Sequence, residues 1–104
     1  MDPTAMKART KAFALRVIRL TESLPKTRTA EVIGKQLLRS ATSVGANYRA
    51  VRRAQSPADF MHKLSIVEEE ADESAYWMEL LVDSGLVPQT KLTQLMKECD
   101  AVRP

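Results

Sequence analysis

The chain has 104 residues, 44% hydrophobic and 28% charged, with a formal net charge of +3. That length fits one domain with one core and no large interior cavity, and that balance excludes a disordered chain. No apolar run approaches the roughly 20 residues needed to cross a bilayer, and MDPTAMKART at the start lacks the apolar stretch of a secretory signal, so a cytoplasmic protein is expected.

Glycine is scarce and β-branched runs are short, a composition that suits helices. Over residues 4–24, Met6, Phe13, Val17, Leu20 and Leu24 fall on one helical face, and Pro25 ends the pattern. Thr29 is positioned to cap a second helix over residues 30–54, with Glu31 near its positive end. Ile33, Leu37, Val44, Tyr48 and Val51 share one face of it.

Ser56-Pro57-Ala58-Asp59 opens a third helix over residues 57–84: a hydroxyl cap, proline at the first helical position and an acid at the third. Phe60, Leu64, Val67, Ala71, Ser74, Met78 and Leu81 then repeat at spacings of four and three, as in a bundle. Gly85 suits the left-handed closing residue. Pro88 opens a short fourth helix over residues 88–102, with Leu92, Leu95, Met96 and Cys99 inward. Short connections make neighbouring helices antiparallel, so the expected fold is an all-α, up-down four-helix bundle forming a single domain.

The stretch ATSVGANYRAVRRAQ, residues 41–55, has the small residues of a phosphate-binding loop. However, the apolar phase from Ile33 to Val51 runs unbroken through Gly45, and no Gly-Lys-Ser/Thr ending follows. Gly34, Ala41 and Gly45 therefore read as a flank where another helix approaches closely.

Charge is distributed unevenly. Residues 1–55 carry 12 Lys/Arg against 3 Asp/Glu, and residues 56–104 carry 4 against 10. Either the halves neutralise each other, or part of the basic surface is free for a polyanion. On helix 2, Lys35, Arg39, Arg49 and Arg53 lie opposite the apolar stripe, with Arg52 beside them and small Thr42 and Ala46 between. Arg16 and Arg19 add charge on helix 1. This ridge suits a phosphate backbone or an acidic partner; the alternative is ion pairing with the acids at 68–73.

Two helices also carry apolar residues off their core stripe: Leu15 and Ile18 on helix 1, and Ile66, Trp77 and Leu80 on helix 3, with Glu70 and Glu73 among them. Such a patch reads as a self-association surface unless helix 4 covers it.

Chemistry is sparse. The lone His62 has no acid or nucleophile identifiably beside it. The lone Cys99 cannot form an internal disulfide, and the two together are too few for a His/Cys metal site. No catalytic residue, metal or cofactor is expected. The one enzymatic pattern, Glu69-Glu70-x-x-Glu73, resembles the EExxE element of all-α nucleoside triphosphate pyrophosphatases, whose acids hold magnesium. The second acidic pair of that family is missing, because Glu79/Asp83 and Glu98/Asp100 have the wrong spacings.

Taken together, LLRSATSVGANYRAVRRA and the Phe-led helix with VEEEADESAYWMELL resemble the four-helix proteins related to those encoded in ribosomal-RNA intervening sequences. The resemblance spans roughly residues 13–87. Arg39, Ser43 and Asn47 match an Arg-x-x-x-Ser-x-x-x-Asn pattern; the Ile-Ala-Glu-Gly that often follows is Tyr48-Arg49-Ala50-Val51 here.

The resemblance implies a left-handed bundle, often a ring-like homopentamer. A similar relative, the accessory variability protein of diversity-generating retroelements, implies a basic surface that meets RNA and a reverse transcriptase. The expected role is a non-enzymatic oligomeric scaffold contacting RNA or a nucleic-acid enzyme through Lys35, Arg39, Arg49, Arg52 and Arg53. The alternatives are a purely structural self-associating protein and a magnesium-dependent pyrophosphohydrolase.

Overall fold

A computed structural model describes residues 3–104, and all of the regular structure among them is helical: α1 Pro3–Glu22, α2 Arg28–Val51, α3 Pro57–Asp83 and α4 Gln89–Ala101. Each helix packs on the next, and α4 returns to α1, so the four close around one core in a body of 45 × 21 × 19 Å. Neighbours run antiparallel. Leu24 and Thr21 of the α1 end meet Gly34 near the start of α2, whereas Thr10, near the start of α1, meets Gly45. The short connection over residues 52–56 turns α3 back along α2, and the two meet where Ser40 is hydrogen-bonded to Ser74 and Arg39 is ion-paired with Glu73.

The core is built from the apolar stripes. Phe13, Val17, Leu37, Val44, Val67, Met78, Leu81, Leu92 and Cys99 are fully buried. The α2–α3 seam is lined with small residues, Ser40, Ala41, Ala71 and Ser74, all without exposure, which lets the two longest helices approach closely. Helix α2 passes through Gly45 without interruption.

Helix ends follow local chemistry. Ser56 accepts from the Asp59 amide at 3.0 Å, and the Asp59 carboxylate accepts in return from the Gln55 amide at 3.0 Å. Gly85 has φ +79°, the left-handed turn that closes α3, and Val87 N–H then bonds back to the Leu81 carbonyl at 3.0 Å.

Several expected boundaries shift. The hydroxyl that caps α2 is Thr27 rather than Thr29; it accepts from the Ala30 amide, so the helix starts at Arg28. Helix α1 stops at Glu22. Ser23 and Leu24 donate to Leu20 and Thr21 in a tightened last turn, because the residue before Pro25 is pushed out of helical geometry. Helix α2 ends at Val51, and Arg53 and Ala54 donate to Ala50 and Val51 in a turn beyond it. Pro88 sits at the N-cap of α4, whose first helical residue is Gln89.

One expected core residue is outside. Phe60 is 43% exposed. Helix α4 lies against α3 at Cys99–Ala71 and its tail reaches Glu68, so nothing from α4 covers the first turns of α3. No helix among the described residues is long and apolar enough to cross a membrane.

Candidate nucleic-acid interface

The basic residues expected to form a ridge, on α2 and in the turn after it, divide into three groups. Arg39 is ion-paired: it donates to Glu70 at 3.4 Å and, in a closer bond, to Glu73, both one helix away on α3. Lys35 lies near the start of α2, beside a concavity it shares with Lys26, Glu31 and Gly34. Arg49, Arg52 and Arg53 gather at the other end, about 21 Å from Lys35 along the helix axis. Their place at a helix C-terminus is electrostatically favourable, since the last carbonyls carry partial negative charge.

The fold brings two more cations to this end. Lys7 and Lys11, one turn apart on α1, face Arg49 and Arg53 across a groove of about 340 Å³. Its floor is small: Thr10, Ala14, Thr42, Gly45 and Ala46. Beside it lies a concavity of about 390 Å³ lined by Lys7, Arg49, Arg52 and Arg53 alone. None of these five cations is ion-paired among the described residues. Lys7 and Lys11 escaped the sequence reading, although their spacing of four and the following Ala14 mark one basic, small-residue face of α1. Arg16 and Arg19 lie by a separate concavity with Lys91 of α4.

Close approach makes the floor. A β-carbon on Gly45 would sit 3.3 Å from Thr10 Oγ1. The Thr10 hydroxyl is buried and donates to the Met6 carbonyl at 2.9 Å, which satisfies its proton within α1. Thr42 donates likewise to the Leu38 carbonyl at 2.7 Å.

The acids at 68–73 are largely engaged elsewhere. Arg39 takes Glu70 and Glu73, while Arg103, from the tail beyond α4, takes Asp72 and, at 3.2 Å, Glu68. Burial and the neighbouring Glu73 raise the pKa of Glu70 above the usual carboxylate range, with Arg39 acting against them. The two acids of the EExxE pattern that face α2 are thus held by an arginine, and no group of three or more potential metal ligands forms among the described residues. Cys99 is buried, donates to the Ala71 carbonyl at 3.3 Å, and has its pKa pushed up to about 11 by burial, so its thiol is protonated at neutral pH. His62 is exposed.

The off-core apolar residues separate by helix. Leu15 and Ile18 are 43% and 38% exposed, whereas Ile66, Trp77 and Leu80 are half-buried. Trp77 packs against the core and meets exposed Tyr76 edge-on, with ring centroids 5.2 Å apart. Its indole Nε1–H is buried with no acceptor among the described residues. Glu70 and Glu73, which lie among these apolar residues in the sequence, are ion-paired with Arg39 of the same chain.

Comparisons with known proteins agree with this architecture. The sequence profile of the 23S rRNA-intervening sequence protein family matches residues 4–104. Among solved structures, a 1.70 Å crystal structure of a protein with unknown function from the S23 ribosomal protein family of Bacteroides thetaiotaomicron VPI-5482 superposes with a TM-score of 0.90. It is 35% identical, over 99% of this chain and 92% of that one. No curated protein matches the sequence. With a family profile that spans nearly every residue and a four-helix relative over a third identical, the chain belongs to the family of 23S rRNA-intervening sequence proteins.

Proposed function

We propose that the protein is a non-enzymatic, self-associating binding scaffold that holds RNA against the basic surface of α1 and α2, in the cytoplasm, alone or with an enzyme acting on nucleic acid such as a reverse transcriptase. The observation that carries this reading is the cluster Lys7, Lys11, Arg49, Arg52 and Arg53: five cations around adjoining concavities with no acid among the lining residues. Like charges held together repel, and a polyanion relieves that cost while releasing its counterions. Ion pairing with residues 68–73 removes Arg39 from the expected ridge and leaves the α2 C-terminal arginines untouched.

Self-association is supported by the exposed Leu15 and Ile18 and by the orphaned Trp77 Nε1–H, since a buried donor without an acceptor costs about 1–3 kcal/mol unless a neighbouring chain supplies one. Five subunits is the count that the family resemblance favours. Repetition around such an assembly makes a modest basic patch multivalent. The same observations support a second reading, a purely structural oligomer, if the cations meet only other copies. A pyrophosphohydrolase is disfavoured because Arg39 occupies Glu70 and Glu73.

The test is a titration of labelled structured RNA at low and moderate salt, with R49E/R53E alongside, and light scattering on the free protein. The scaffold reading expects salt-sensitive binding that the double variant loses, and a mass several times 11.6 kDa that Trp77→Ala reduces. Absence of binding at low salt leaves the structural oligomer. A mass of one chain at micromolar concentration removes self-association.

A further inference from the structure

We infer that the α1/α2 groove is a seat for the sugar-phosphate backbone of a double-helical nucleic acid, gripped between Lys7 and Lys11 on one bank and Arg49 and Arg53 on the other. This rests on the polyanion reading above and narrows it to one site and one class of ligand.

Lys7 and Lys11 are four residues apart on α1, about 6 Å along its axis, and Arg53 stands in the turn just beyond the α2 end that carries Arg49. The helices are antiparallel with Thr10 level with Gly45, so Lys7 stands opposite Arg49, and Lys11 and Arg53 flank that pair about one turn to either side along a trough whose floor is no larger than threonine. Successive phosphates of one strand repeat on a comparable scale, so one fits between Lys7 and Arg49 with its neighbours toward Lys11 and Arg53. The division of labour suits phosphate: arginine supplies a planar fork for two oxygens, and lysine supplies a mobile point charge. Arg52 and Lys7 extend the trough into the all-cation concavity beside it.

The floor decides which polyanion. Ala14, Gly45 and Ala46 offer no hydrogen-bonding side chain, and the protons of the Thr10 and Thr42 hydroxyls are spent on helix carbonyls. No aromatic ring lines the groove. Tyr48 lines a different concavity with Met6 and Leu64, and Tyr76 and Trp77 lie on α3. A single strand presents unstacked bases and is held by aromatic platforms, which this groove lacks. A duplex hides its bases and presents an ordered backbone, which is all this groove can read. A free nucleotide gains too little, because nothing here recognises a base.

The experiment compares a labelled 20-base-pair RNA duplex, the same duplex in DNA, a single strand of the same length and a poly-glutamate peptide. The proteins are wild type, K7E/K11E, R49E/R53E and K26E/K35E, the last being charge-matched but placed at the far concavity. Wild type is expected to bind the duplexes with log affinity falling against log salt at a slope near −4 per groove, and the single strand at least tenfold more weakly. K7E/K11E and R49E/R53E should each flatten that slope by about 2 and lose roughly tenfold or more in affinity at 0.1 M salt, while K26E/K35E stays within about twofold of wild type.

Equal loss in K7E/K11E and K26E/K35E overturns the groove and leaves diffuse basic binding. Loss in R49E/R53E with K7E/K11E unchanged returns the site to the α2 ridge alone. A single strand or the peptide that binds as well as the duplex overturns the duplex assignment. No binding to any probe removes the underlying polyanion reading itself. The four groove positions are surface sites, and circular dichroism confirms the fold of each variant; Lys7→Gln/Lys11→Gln replaces any that fails, with half the charge change and the same expected direction.

Discussion

Thr10 and Gly45 define how closely α1 lies on α2: the hydroxyl oxygen of Thr10 is 3.3 Å from where a Gly45 β-carbon would stand, and its own Cβ is 3.5 Å away. Thr10 cannot swing aside, because its hydroxyl is bonded to the Met6 carbonyl and the residue is buried. Gly45→Ala therefore sets a helix-propensity gain of up to about 1 kcal/mol against a tight contact, and the net change in unfolding free energy should stay within about 1 kcal/mol. Gly45→Val has no such balance. Its branched side chain must push α1 outward, at a cost of about 1–3 kcal/mol in urea melts. Equal stability for Gly45→Val and wild type would mean that the helices are not in contact here.

Ser40 and Ser74 form the matching contact across α2 and α3, oxygen to oxygen at 3.0 Å with neither residue exposed. Ser40 donates to the Leu37 carbonyl of its own helix, and the single Ser74 proton is shared between Ser40 and the Glu70 carbonyl. Removing both hydroxyls leaves no orphaned partner, since the helix carbonyls keep their backbone bonds. Ser40→Ala/Ser74→Ala should thus cost under about 1 kcal/mol, whereas Ser40→Leu overpacks the buried α2–α3 seam and should cost about 1–3 kcal/mol. Thermal melts of the two variants compare them directly. A double alanine variant as damaged as Ser40→Leu would make the hydroxyl bond, rather than space, the reason for serine.

These seams show what a sequence can convey. Phe13, Val17, Leu37, Val44, Val67 and Met78 were readable as core because helical phase alone places them on one stripe. Ser56 and Gly85 were readable because capping and left-handed turns are local. Thr27 and Thr29 are both competent caps two residues apart, and the choice depends on where the turn after Pro25 delivers the chain. Phe60 belongs to the stripe yet stays exposed, because cover at that level depends on where α4 stops. The groove was half legible. Arg49, Arg52 and Arg53 stand out in the sequence around the end of α2, but the face of α1 that turns toward them is a tertiary fact, and only that face brings in Lys7 and Lys11. Arg39 looks identical to them in sequence; its pairing with Glu70 and Glu73 follows from the α2–α3 register.

That register gives Arg39 a structural role. Glu70 and Glu73 are one turn apart on α3 and share a single cation. The raised pKa of Glu70 means that its ionisation is disfavoured by folding. Its contribution to stability is full below the ordinary value of 4.5 and is lost as pH rises through the raised folded value. At neutral pH, Glu70→Gln removes a desolvated charge while Arg39 keeps Glu73, so stability should hold or rise by up to about 1 kcal/mol. Arg39→Ala does the reverse, leaving both acids without a partner, and should lower stability by roughly 1 kcal/mol at pH 7 and by less at pH 4. Melting temperatures at the two pH values decide the matter: an Arg39→Ala deficit that does not shrink in acid would show that Arg39 acts through packing instead.

Arg9 and Glu98 make the opposite case, and they tie the shortest helix to the first. Arg9 Nε donates to Glu98 Oε1 at 2.7 Å and a terminal nitrogen donates to Oε2 at 3.3 Å, a two-pronged grip between α1 and α4. The hydrogen bond from Arg9 is the main cause that lowers the Glu98 pKa below its ordinary value of 4.5; burial opposes it, and the charges of Arg9 and Arg16 assist. A depressed carboxylate contributes stability that is complete above the ordinary value and disappears as pH falls through the folded one. Glu98→Gln lacks that contribution at every pH. Wild type should therefore melt above Glu98→Gln at pH 7, and the two curves should converge as pH falls through the depressed folded value, below which the carboxylate is protonated in both states. Helix α4 is 13 residues long and short helices depend on tertiary contacts, so the effect should concentrate there. Amide exchange in residues 89–101 should accelerate in the variant at neutral pH and match wild type in acid. Because Arg9 is partly exposed, the gap should also narrow in high salt. A melting difference that is constant from pH 7 to pH 3 would assign the effect of Glu98 to shape rather than charge.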